Sequence, residues 1–330
     1  MKICKSCVLP VNFPHITFAS DGACNLCRSY KGSSEAGRLK KEYKDKFELL
    51  LKKIASKGAY DILVCYSGGK DSTYVLSVFK EMYGLKILAF TFDNGFIPER
   101  TFINIRNAIE RLDVDHIFFK PRFNLLKKIF REAVKGFLYP MKAMERASLI
   151  CTSCIGLVKY TALKLAIEKE IPFVGFGWSP GQAPVTSSIL KINPRMVKSM
   201  EDVIKRPIVE VAGKEMEGYF LNERHYSKPD KFPIYIHPLA FLKYDEKAIL
   251  NKVKKLGWIE PRGLDLNSTN CYLNSFANAA HKRRYGFHPY VFEIAALVRE
   301  GCMSREEGLR RIRNTGDRKT IEMVKRRLAI

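Results

Sequence analysis

The sequence feature that most constrains this chain is a glycine-containing loop that directly follows a short apolar run. Residues 62–65 read Ile-Leu-Val-Cys, which predicts a buried parallel strand. The loop that follows spans Tyr66–Thr73, reads Y-S-G-G-K-D-S-T, and leads into a helix-compatible stretch. Gly68 and Gly69 allow a tight turn and a close approach to a ligand. The pattern predicts a helix N-terminus at which amide groups, the helix dipole and Lys70 face one anion.

This Ser-Gly-Gly loop (residues 66–73) is not a Walker P-loop, which needs G-x-x-x-x-G-K-[ST]. It resembles the S-G-G-x-D-S loop of the PP-loop ATP pyrophosphatases, in which the loop holds the pyrophosphate of ATP and AMP passes to an acceptor oxygen. The resemblance implies ATP and Mg²⁺ as cofactors and makes Lys70 and Asp71 candidate catalytic residues. The candidate ATP-binding residues are Tyr66, Ser67, Gly68, Gly69, Lys70, Asp71, Ser72, Thr73, Asp93 and Gly177.

Two bland alternatives accompany this site prediction. The loop could be a glycine-rich strand-to-helix turn with a chance lysine. Asp93, which ends the second apolar run, could bind the adenosine or the metal, or could form an Asx turn with Asn94-Gly95.

Apolar runs alternate with helical patterns from residue 61 onward, which predicts an α/β fold. The runs are 61–66, 86–92, 116–120 and 172–177, and the helix candidates lie near 72–83, 98–112, 124–137 and 155–169. Such alternation predicts a doubly wound parallel sheet, of the HUP/PP-loop type that the resemblance implies, with ligands at the carboxyl ends of the strands. The expected domains are a zinc-ribbon module at 1–30, a connecting helix at 31–57, a PP-loop ATP pyrophosphatase domain at 58–240, and a mostly helical C-terminal region at 241–330 that could bind the acceptor.

The first set of cysteines forms two Cys-x-x-Cys pairs, Cys4 with Cys7 and Cys24 with Cys27. Two such pairs predict a four-thiolate zinc ribbon, with a rubredoxin-like iron site as the alternative. A closed site of this kind has no open coordination position and therefore no catalytic role. The segment resembles the N-terminus of the N-acetyl sugar amidotransferases, a resemblance that covers residues 1–95 and weakens after about 140. It implies nitrogen transfer to an activated acetamido oxygen, with ammonia from a glutamine amidotransferase.

The second set of cysteines is Cys151, Cys154 and Cys271, which we call the cleft cysteines. This pattern resembles the tRNA thiolases of the 2-thiouridine synthetase group. The resemblance implies a [4Fe-4S] cluster held by three thiolates, with one iron free to deliver sulfide to an adenylated carbon. Because 116 residues separate Cys154 from Cys271, the sequence leaves open whether they meet. The alternative is a zinc or redox pair with an isolated thiol.

The charge and cysteine content indicate the class of acceptor and the cellular compartment. Lys and Arg number 57 against 34 Asp and Glu, a net charge of +23, which favours a polyanionic acceptor, either RNA or a nucleotide-sugar. A thermophile's charged surface would explain the same excess. Nine cysteines without a signal peptide indicate a reducing, cytoplasmic setting. The sequence contains no run of 18 apolar residues, so no membrane span is expected. A homodimer is left open.

The leading hypothesis is ATP-dependent adenylation of an acceptor oxygen with release of pyrophosphate, followed by sulfur transfer from a sulfur donor through the [4Fe-4S] cluster. The first alternative is an N-acetyl sugar amidotransferase that works with a glutamine amidotransferase. The second is an ATP-binding regulator without catalysis. The cleft cysteines discriminate among these, because only the sulfurtransferase requires them.

Overall fold

A computed structural model describes residues 2–53, 58–314 and 316–330. Its centre is a six-stranded sheet with the strand order β3-β2-β1-β4-β6-β5. Neighbouring strands are parallel except β5, which runs antiparallel to β6 at one edge. The predicted α/β fold with a parallel sheet is therefore confirmed. The strands are β1 Ile62–Cys65, β2 Ile87–Phe92, β3 Asp115–Phe119, β4 Phe173–Phe176, β5 Ile189–Lys191 and β6 Ile234–Ile236.

The helices of the described part surround this sheet. They are α1 Asn25–Arg28, α2 Gly32–Lys53, α3 Lys70–Ser77, α4 Glu99–Leu112, α5 Phe123–Lys135, α6 Met141–Met144, α7 Leu149–Glu168, α8 Pro194–Ala212, α9 Glu223–Tyr226, α10 Pro238–Phe241, α11 Glu246–Lys255, α12 Leu273–Tyr285, α13 Val291–Arg299, α14 Arg305–Arg313 and α15 Arg318–Leu328.

The sheet is buried on both faces, as the continuous apolar runs of its central strands require. One face packs against α2, α3, α4 and α10, and the other packs against α5, α7, α8, α12 and α15. Helix α7 is long and apolar enough to cross a membrane by length and composition. It contacts β1, β4, α5 and α8, which is the setting of a core helix.

Three elements differ from the sequence prediction. Helix α7 begins at Leu149 rather than near 155, because Ser148 caps it by accepting a hydrogen bond from the Cys151 amide at 3.2 Å. The antiparallel strand β5 was not predicted. Helix α2 does more than connect, since Phe47 is fully buried against the sheet; the last four positions of the predicted connecting helix, 54–57, lie outside the described residues.

The N-terminal segment folds back onto the C-terminal helices. Val8, Leu9 and Phe13 pack with Val291 and Ile294 of α13 in a separate apolar core. Arg305 of α14 donates hydrogen bonds to the carbonyl oxygens of two cysteines in this segment at 2.9–3.2 Å. A segment too short to bury its own core therefore completes it with residues from the other end of the chain.

Candidate active site and metal centres

A cleft of about 1100 Å³ opens at the carboxyl ends of β1 and β4, the edge where ligands bind in parallel sheets. Its walls come from the Ser-Gly-Gly loop, the turn after β2, the start of α7, the segment before α12, and α13. The predicted site residues on its walls are Ser67, Gly69, Asp71, Ser72, Cys151, Cys154, Gly177 and Cys271.

The loop residues that face the cleft are held in a compact turn before α3. The Ser67 amide donates to Ser72 Oγ at 3.3 Å, and the two serine hydroxyls lie 3.0 Å apart. Gly177 packs directly on the loop, because a side chain at that position would approach the Ser72 Cα to 2.5 Å. The result is a cradle of hydroxyls and amides at a helix N-terminus, which suits a phosphate group.

Other loop residues support the turn from behind. Gly68 has φ of 74°, and a Cβ there would lie 2.7 Å from both Thr101 and Ile105, so the position requires glycine. The Thr73 hydroxyl donates to the Gly69 carbonyl at 2.9 Å. Tyr66 is buried beneath the loop, and its ring lines a smaller chamber beside the cleft.

Lys70 differs from the prediction that it faces the anion. Its ammonium lies 2.9 Å from both carboxylate oxygens of Asp71, 3.0 Å from the Tyr244 hydroxyl and 3.2 Å from Glu246. Burial alone would lower the pKa of Lys70, but these partners raise it above its ordinary value. A buried ammonium must be paired, and here the pairing directs it to acidic groups beside the cleft.

Asp93 forms the Asx turn that the sequence analysis gave as the alternative to binding the adenosine or the metal. Its Oδ1 accepts a hydrogen bond from the Gly95 amide at 2.8 Å, and its Oδ2 lies 3.4 Å from Lys120. The Asx turn is thus what this carboxylate forms, and its neighbour Asn94 lines the cleft instead.

The structure brings the three cleft cysteines together on one wall. The Asn94 side-chain amide lies 3.6 Å from the Cys154 sulfur and 3.3 Å from the Cys271 sulfur. Those two sulfurs are therefore no farther apart than the two distances added, about 6.9 Å. The Asn274 amide contacts the Cys151 sulfur at 3.7 Å. Cys154 and Cys271, which have 116 residues between them in the sequence, therefore line one cleft together with Cys151.

Burial controls the protonation of the thiols on this wall. Burial raises the pKa of the Cys151 thiol to about 12, and it raises those of Cys154 and Cys271 above their ordinary values. Such thiols stay protonated at neutral pH unless a nearby cation stabilises the thiolate. Three convergent thiols with side-chain amide donors fit an iron–sulfur group, which is held by thiolates and tuned by hydrogen bonds to sulfur.

The four N-terminal cysteines form a separate and tighter site, the ribbon site. The sulfurs of Cys4, Cys7, Cys24 and Cys27 all lie within 4.8 Å of one another. The Cys4–Cys27 and Cys7–Cys24 sulfur separations are both 3.8 Å. Tetrahedral zinc with Zn–S bonds of about 2.3 Å spaces its sulfurs about 3.8 Å apart. The residues therefore fit a single tetrahedral ion, which iron or zinc could supply.

Several cleft residues escaped the sequence prediction. Thr269 and Asn270 cover the Ser-Gly-Gly loop, the first accepting from the Lys70 amide at 3.1 Å and the second donating to the Ser67 carbonyl at 3.5 Å. Glu293 and Tyr290 line the cleft from the region of α13. The polar run before Cys271 was a visible signal for the first pair. Nothing in the local pattern of α13 singles out Glu293.

Comparisons with known proteins give distant likenesses. No family model matches the sequence. The chain is 25% identical over 271 residues to the uncharacterized protein MJ1599 of Methanocaldococcus jannaschii, covering 82% of this chain and 77% of that protein. In fold it is similar to the U34-tRNA thiolase NcsA of Methanococcus maripaludis, solved with its [4Fe-4S] cluster, with a TM-score of 0.41, 16% identity, and coverage of 100% of this chain and 89% of that one.

Two further solved structures are similar. NMN synthetase from Francisella tularensis gives a TM-score of 0.38 at 12% identity, covering 89% of this chain and 96% of that one. A predicted subunit of tRNA methyltransferase from Methanocaldococcus jannaschii gives 0.34 at 17% identity, covering 70% and 90%. These likenesses concern the fold alone.

Proposed function

We propose that this chain is a PP-loop ATP pyrophosphatase that adenylates an acceptor oxygen and then directs sulfur to the activated carbon. The observation that carries the proposal is the shared cleft, in which the Ser-Gly-Gly loop and the cleft cysteines face one space. A phosphate cradle alone would fit any nucleotide site. Three convergent thiols beside it need a chemical reason, and group transfer provides one.

The pyrophosphate and the adenine of ATP would occupy different spaces, the first in the cleft and the second in the smaller chamber beside it. The pyrophosphate would lie on the hydroxyls of Ser67 and Ser72 and the amides at the start of α3, where the helix dipole favours negative charge. The adenine would enter the chamber of about 620 Å³ beside the loop, whose walls include Phe90, Phe92 and Phe176. Aromatic walls of this kind suit a planar base.

Asp71 is the metal-binding candidate in this arrangement, and Lys70 is its support. Mg²⁺ needs only one or two carboxylates in addition to phosphate oxygens. Lys70 donates hydrogen bonds to both oxygens of the Asp71 carboxylate and also forms an ion pair with Glu246. Lys70 therefore orients Asp71 beside the pyrophosphate, and Lys70→Ala would lose stability as well as activity because it removes the ion pair of Asp71 and one of the two ion pairs of Glu246, whose other partner is Arg311.

The cleft cysteines complete the reaction path. Cys151, Cys154 and Cys271 would hold a [4Fe-4S] cluster, and when bound it would supply the sulfur atom. The chain's own part is to hold the adenylated carbon within reach of that wall, so that AMP leaves as the new bond forms. The excess of basic residues, +23 in net charge, supports a polyanionic acceptor such as RNA or a nucleotide-sugar.

The test is ATP-dependent release of pyrophosphate by a loop variant. Ser67→Ala/Ser72→Ala removes both cradle hydroxyls, and we expect pyrophosphate release to fall by about a hundredfold or more, the usual loss for transition-state hydrogen bonds. Ser77→Ala is the matched control, because its hydroxyl donates to the Tyr74 carbonyl on the same helix. If wild type and the double variant have the same unfolding temperature, equal rates of pyrophosphate release in the two proteins would contradict the proposal.

Nitrogen transfer is the second candidate, and the ribbon site favours it, since that segment resembles the amidotransferases. The two reactions separate in one assay. A sulfurtransferase loses product in air and in cleft-cysteine variants, whereas an amidotransferase makes product with ammonia in both. An ATP-binding regulator would release no pyrophosphate under any of these conditions.

A further inference from the structure

The same cleft contains a carboxyl group to which the proposed reaction assigns no role. Glu293 lies in the first turns of α13, and its side chain lines the same cleft as Asp71 and Ser72. Its Oε1 accepts a hydrogen bond from the Ser179 hydroxyl at 2.5 Å. The C-terminal region thus contributes an acidic group to the floor of a site built mainly by the sheet.

The backbone of α13 is fixed from two sides. Gly181, in the loop after β4, packs so closely that a Cβ there would lie 2.3 Å from the Glu293 carbonyl oxygen. On the other side Val291, Ile294 and Ala295 pack against the ribbon site. At the far end of the helix, Arg299 approaches the Cys7 sulfur at 3.7 Å. A position fixed by backbone contact and by a metal-binding module is preorganised.

The charges around Glu293 tune it for proton transfer at neutral pH. Burial, which a hydrogen bond from Ser179 opposes and the nearby Asp71 charge reinforces, raises the pKa of the Glu293 carboxyl to about 7. A base with a pKa near the working pH is the efficient choice. The groups that face it from the loop after β4, from α3, from α14 and from its own helix region are Ser179, Asp71, Lys70, Arg311 and Tyr290.

We propose that Glu293 is the catalytic base of the adenylation step, which takes the proton from the N–H of an amide group in the acceptor. This inference rests on the proposed function and deepens it. Both acceptor classes favoured above contain such a group: the lactam of a uracil base in RNA, and the acetamido group of an N-acetyl nucleotide-sugar.

With Glu293 as the proton acceptor, the bonds and protons of the adenylation step balance. The acceptor's carbonyl oxygen forms a bond to the α-phosphorus of ATP, the bond from that phosphorus to the bridging oxygen breaks, and pyrophosphate leaves. The amide N–H gives its proton to Glu293, and the nitrogen lone pair becomes a carbon–nitrogen double bond. A nucleophile then adds to the carbon, and AMP departs with the bonding pair. Without a base, the adenylated amide would carry a positive charge on nitrogen.

The experiment measures pyrophosphate release by the full-length, metal-loaded protein under anaerobic conditions with Mg²⁺ and ATP. The acceptor probes are an unmodified tRNA transcript and UDP-N-acetylglucosamine, with UDP-glucose as the probe that lacks an amide. The variants are Glu293→Gln, Glu293→Asp and, as the matched control, Glu300→Gln. Glu300 follows the same helix and pairs with Lys40 at 2.7 Å.

We expect one amide probe to support pyrophosphate release and UDP-glucose not to do so. Glu293→Gln should lower kcat by about a hundredfold or more, the usual contribution of a general base, with the KM for ATP changed less than about twofold. Glu293→Asp should recover part of the loss, and Glu300→Gln should match wild type. The wild-type rate should rise with pH through about 7, and this limb should be absent in Glu293→Gln.

Each contrary result has its own meaning. Wild-type kcat and pH profile in Glu293→Gln would overturn the base assignment while leaving the proposed function standing. Release that UDP-glucose supports as well as the amide probes do would overturn the amide acceptor while leaving adenylation standing. Loss of release in wild type under every condition, with ATP still bound, would overturn the proposed function itself.

Discussion

The ribbon site and the cleft cysteines place thiols in two different ways. The ribbon sulfurs receive backbone hydrogen bonds: the amides of Cys7 and Cys24 donate to the Cys4 sulfur at 3.4 and 3.2 Å. The cleft sulfurs receive hydrogen bonds from the side-chain amides of Asn94 and Asn274, and the Cys271 sulfur also receives backbone hydrogen bonds from Leu273 and Asn274. Arg299 adds one side-chain contact to the ribbon, at the Cys7 sulfur. Backbone donors remain after a side-chain substitution, whereas each cleft sulfur has a side-chain amide donor that a substitution can remove.

The two sites also differ in what they face. Three of the four ribbon cysteines are buried beneath α13 and α14, and no wall of the large cleft belongs to them. The cleft cysteines line the same cleft as the Ser-Gly-Gly loop. Structural metal sites are closed and catalytic ones keep an open position, so this contrast supports the proposal of a structural ion at the first site and group transfer at the second.

The largest effect should come from removing one cleft thiol. We expect Cys271→Ser to abolish product formation and iron binding, because two thiolates cannot hold the cluster, while pyrophosphate release stays within about threefold of wild type because the phosphate cradle is intact. Iron content, absorption spectrum and product analysis under anaerobic conditions measure this. Cys302→Ser is the control thiol, half-buried and outside both sites. Full product formation by Cys271→Ser would remove the distinction between the two sites.

The next effect belongs to the ribbon. Cys24→Ser should release its metal and lower the free energy of unfolding by several kcal/mol, since the binding energy of a structural ion is folding energy, up to about 10–16 kcal/mol for small zinc modules. Because α13 packs on the ribbon, pyrophosphate release should also fall. Metal analysis and denaturant unfolding test both points. The triple variant of the cleft cysteines to serine should keep one ion per chain, and its loss there would show that the two sites are not independent.

How much of this could be predicted from the sequence depends on how local each signal is. The Ser-Gly-Gly loop and the ribbon pairs lie within a few residues of their partners, so their spacing predicted their geometry. Beyond the adjacent Asp71, Lys70 contacts Tyr244 and Glu246, which lie more than 170 positions away. No local pattern shows that a lysine in a phosphate loop will be captured by distant acidic groups.

At the end of β2, the residue that lines the cleft is one position later than the sequence predicted. The strand end was predicted correctly, but which of Asp93 and Asn94 turns into the cleft depends on the Asx turn that Asp93 forms with Gly95. Glu293 was invisible for another reason. Its helix has an ordinary amphipathic pattern, and only the packing of α13 against the ribbon and Gly181 directs the carboxyl inward.

A smaller effect tests the helix that joins the two sites. The folded-state pKa of Glu293 is raised to about 7, so its proton stabilises the fold below the ordinary pKa of 4.5, and this contribution is lost as pH rises to about 7. Glu293→Gln lacks the titration. The free energy of unfolding of wild type should therefore fall by roughly 2–3 kcal/mol relative to the variant between pH 4.5 and 8, at about 1.4 kcal/mol per pKa unit.

The control for that measurement is a carboxyl group whose pKa is shifted in the opposite direction. A hydrogen bond from Arg310, with Arg311 adding, lowers the pKa of Glu307 to about 2. Its contribution to stability is present above the ordinary pKa and is lost as pH falls toward 2, so Glu307→Gln should be less stable than wild type at neutral pH. Parallel pH curves for wild type and Glu293→Gln would show that the carboxyl is not held in the cleft as described.

The smallest effect concerns the side-chain amides that distinguish the two sites. Asn94→Ala removes the donor that contacts both Cys154 and Cys271, and we expect iron to be lost about tenfold faster to a chelator, the lower end of the effect of outer hydrogen-bond partners on metal affinity. Global stability should fall by only about 1 kcal/mol, because one hydrogen bond from the Phe96 amide to Asn94 is also lost. Asn25→Ala is the matched variant at the ribbon. Its side-chain oxygen accepts from the Thr17 amide rather than contacting a sulfur, so the ribbon ion should be retained as in wild type. Equal iron loss in Asn94→Ala and wild type would mean that the Asn94 amide does not help to hold the cluster.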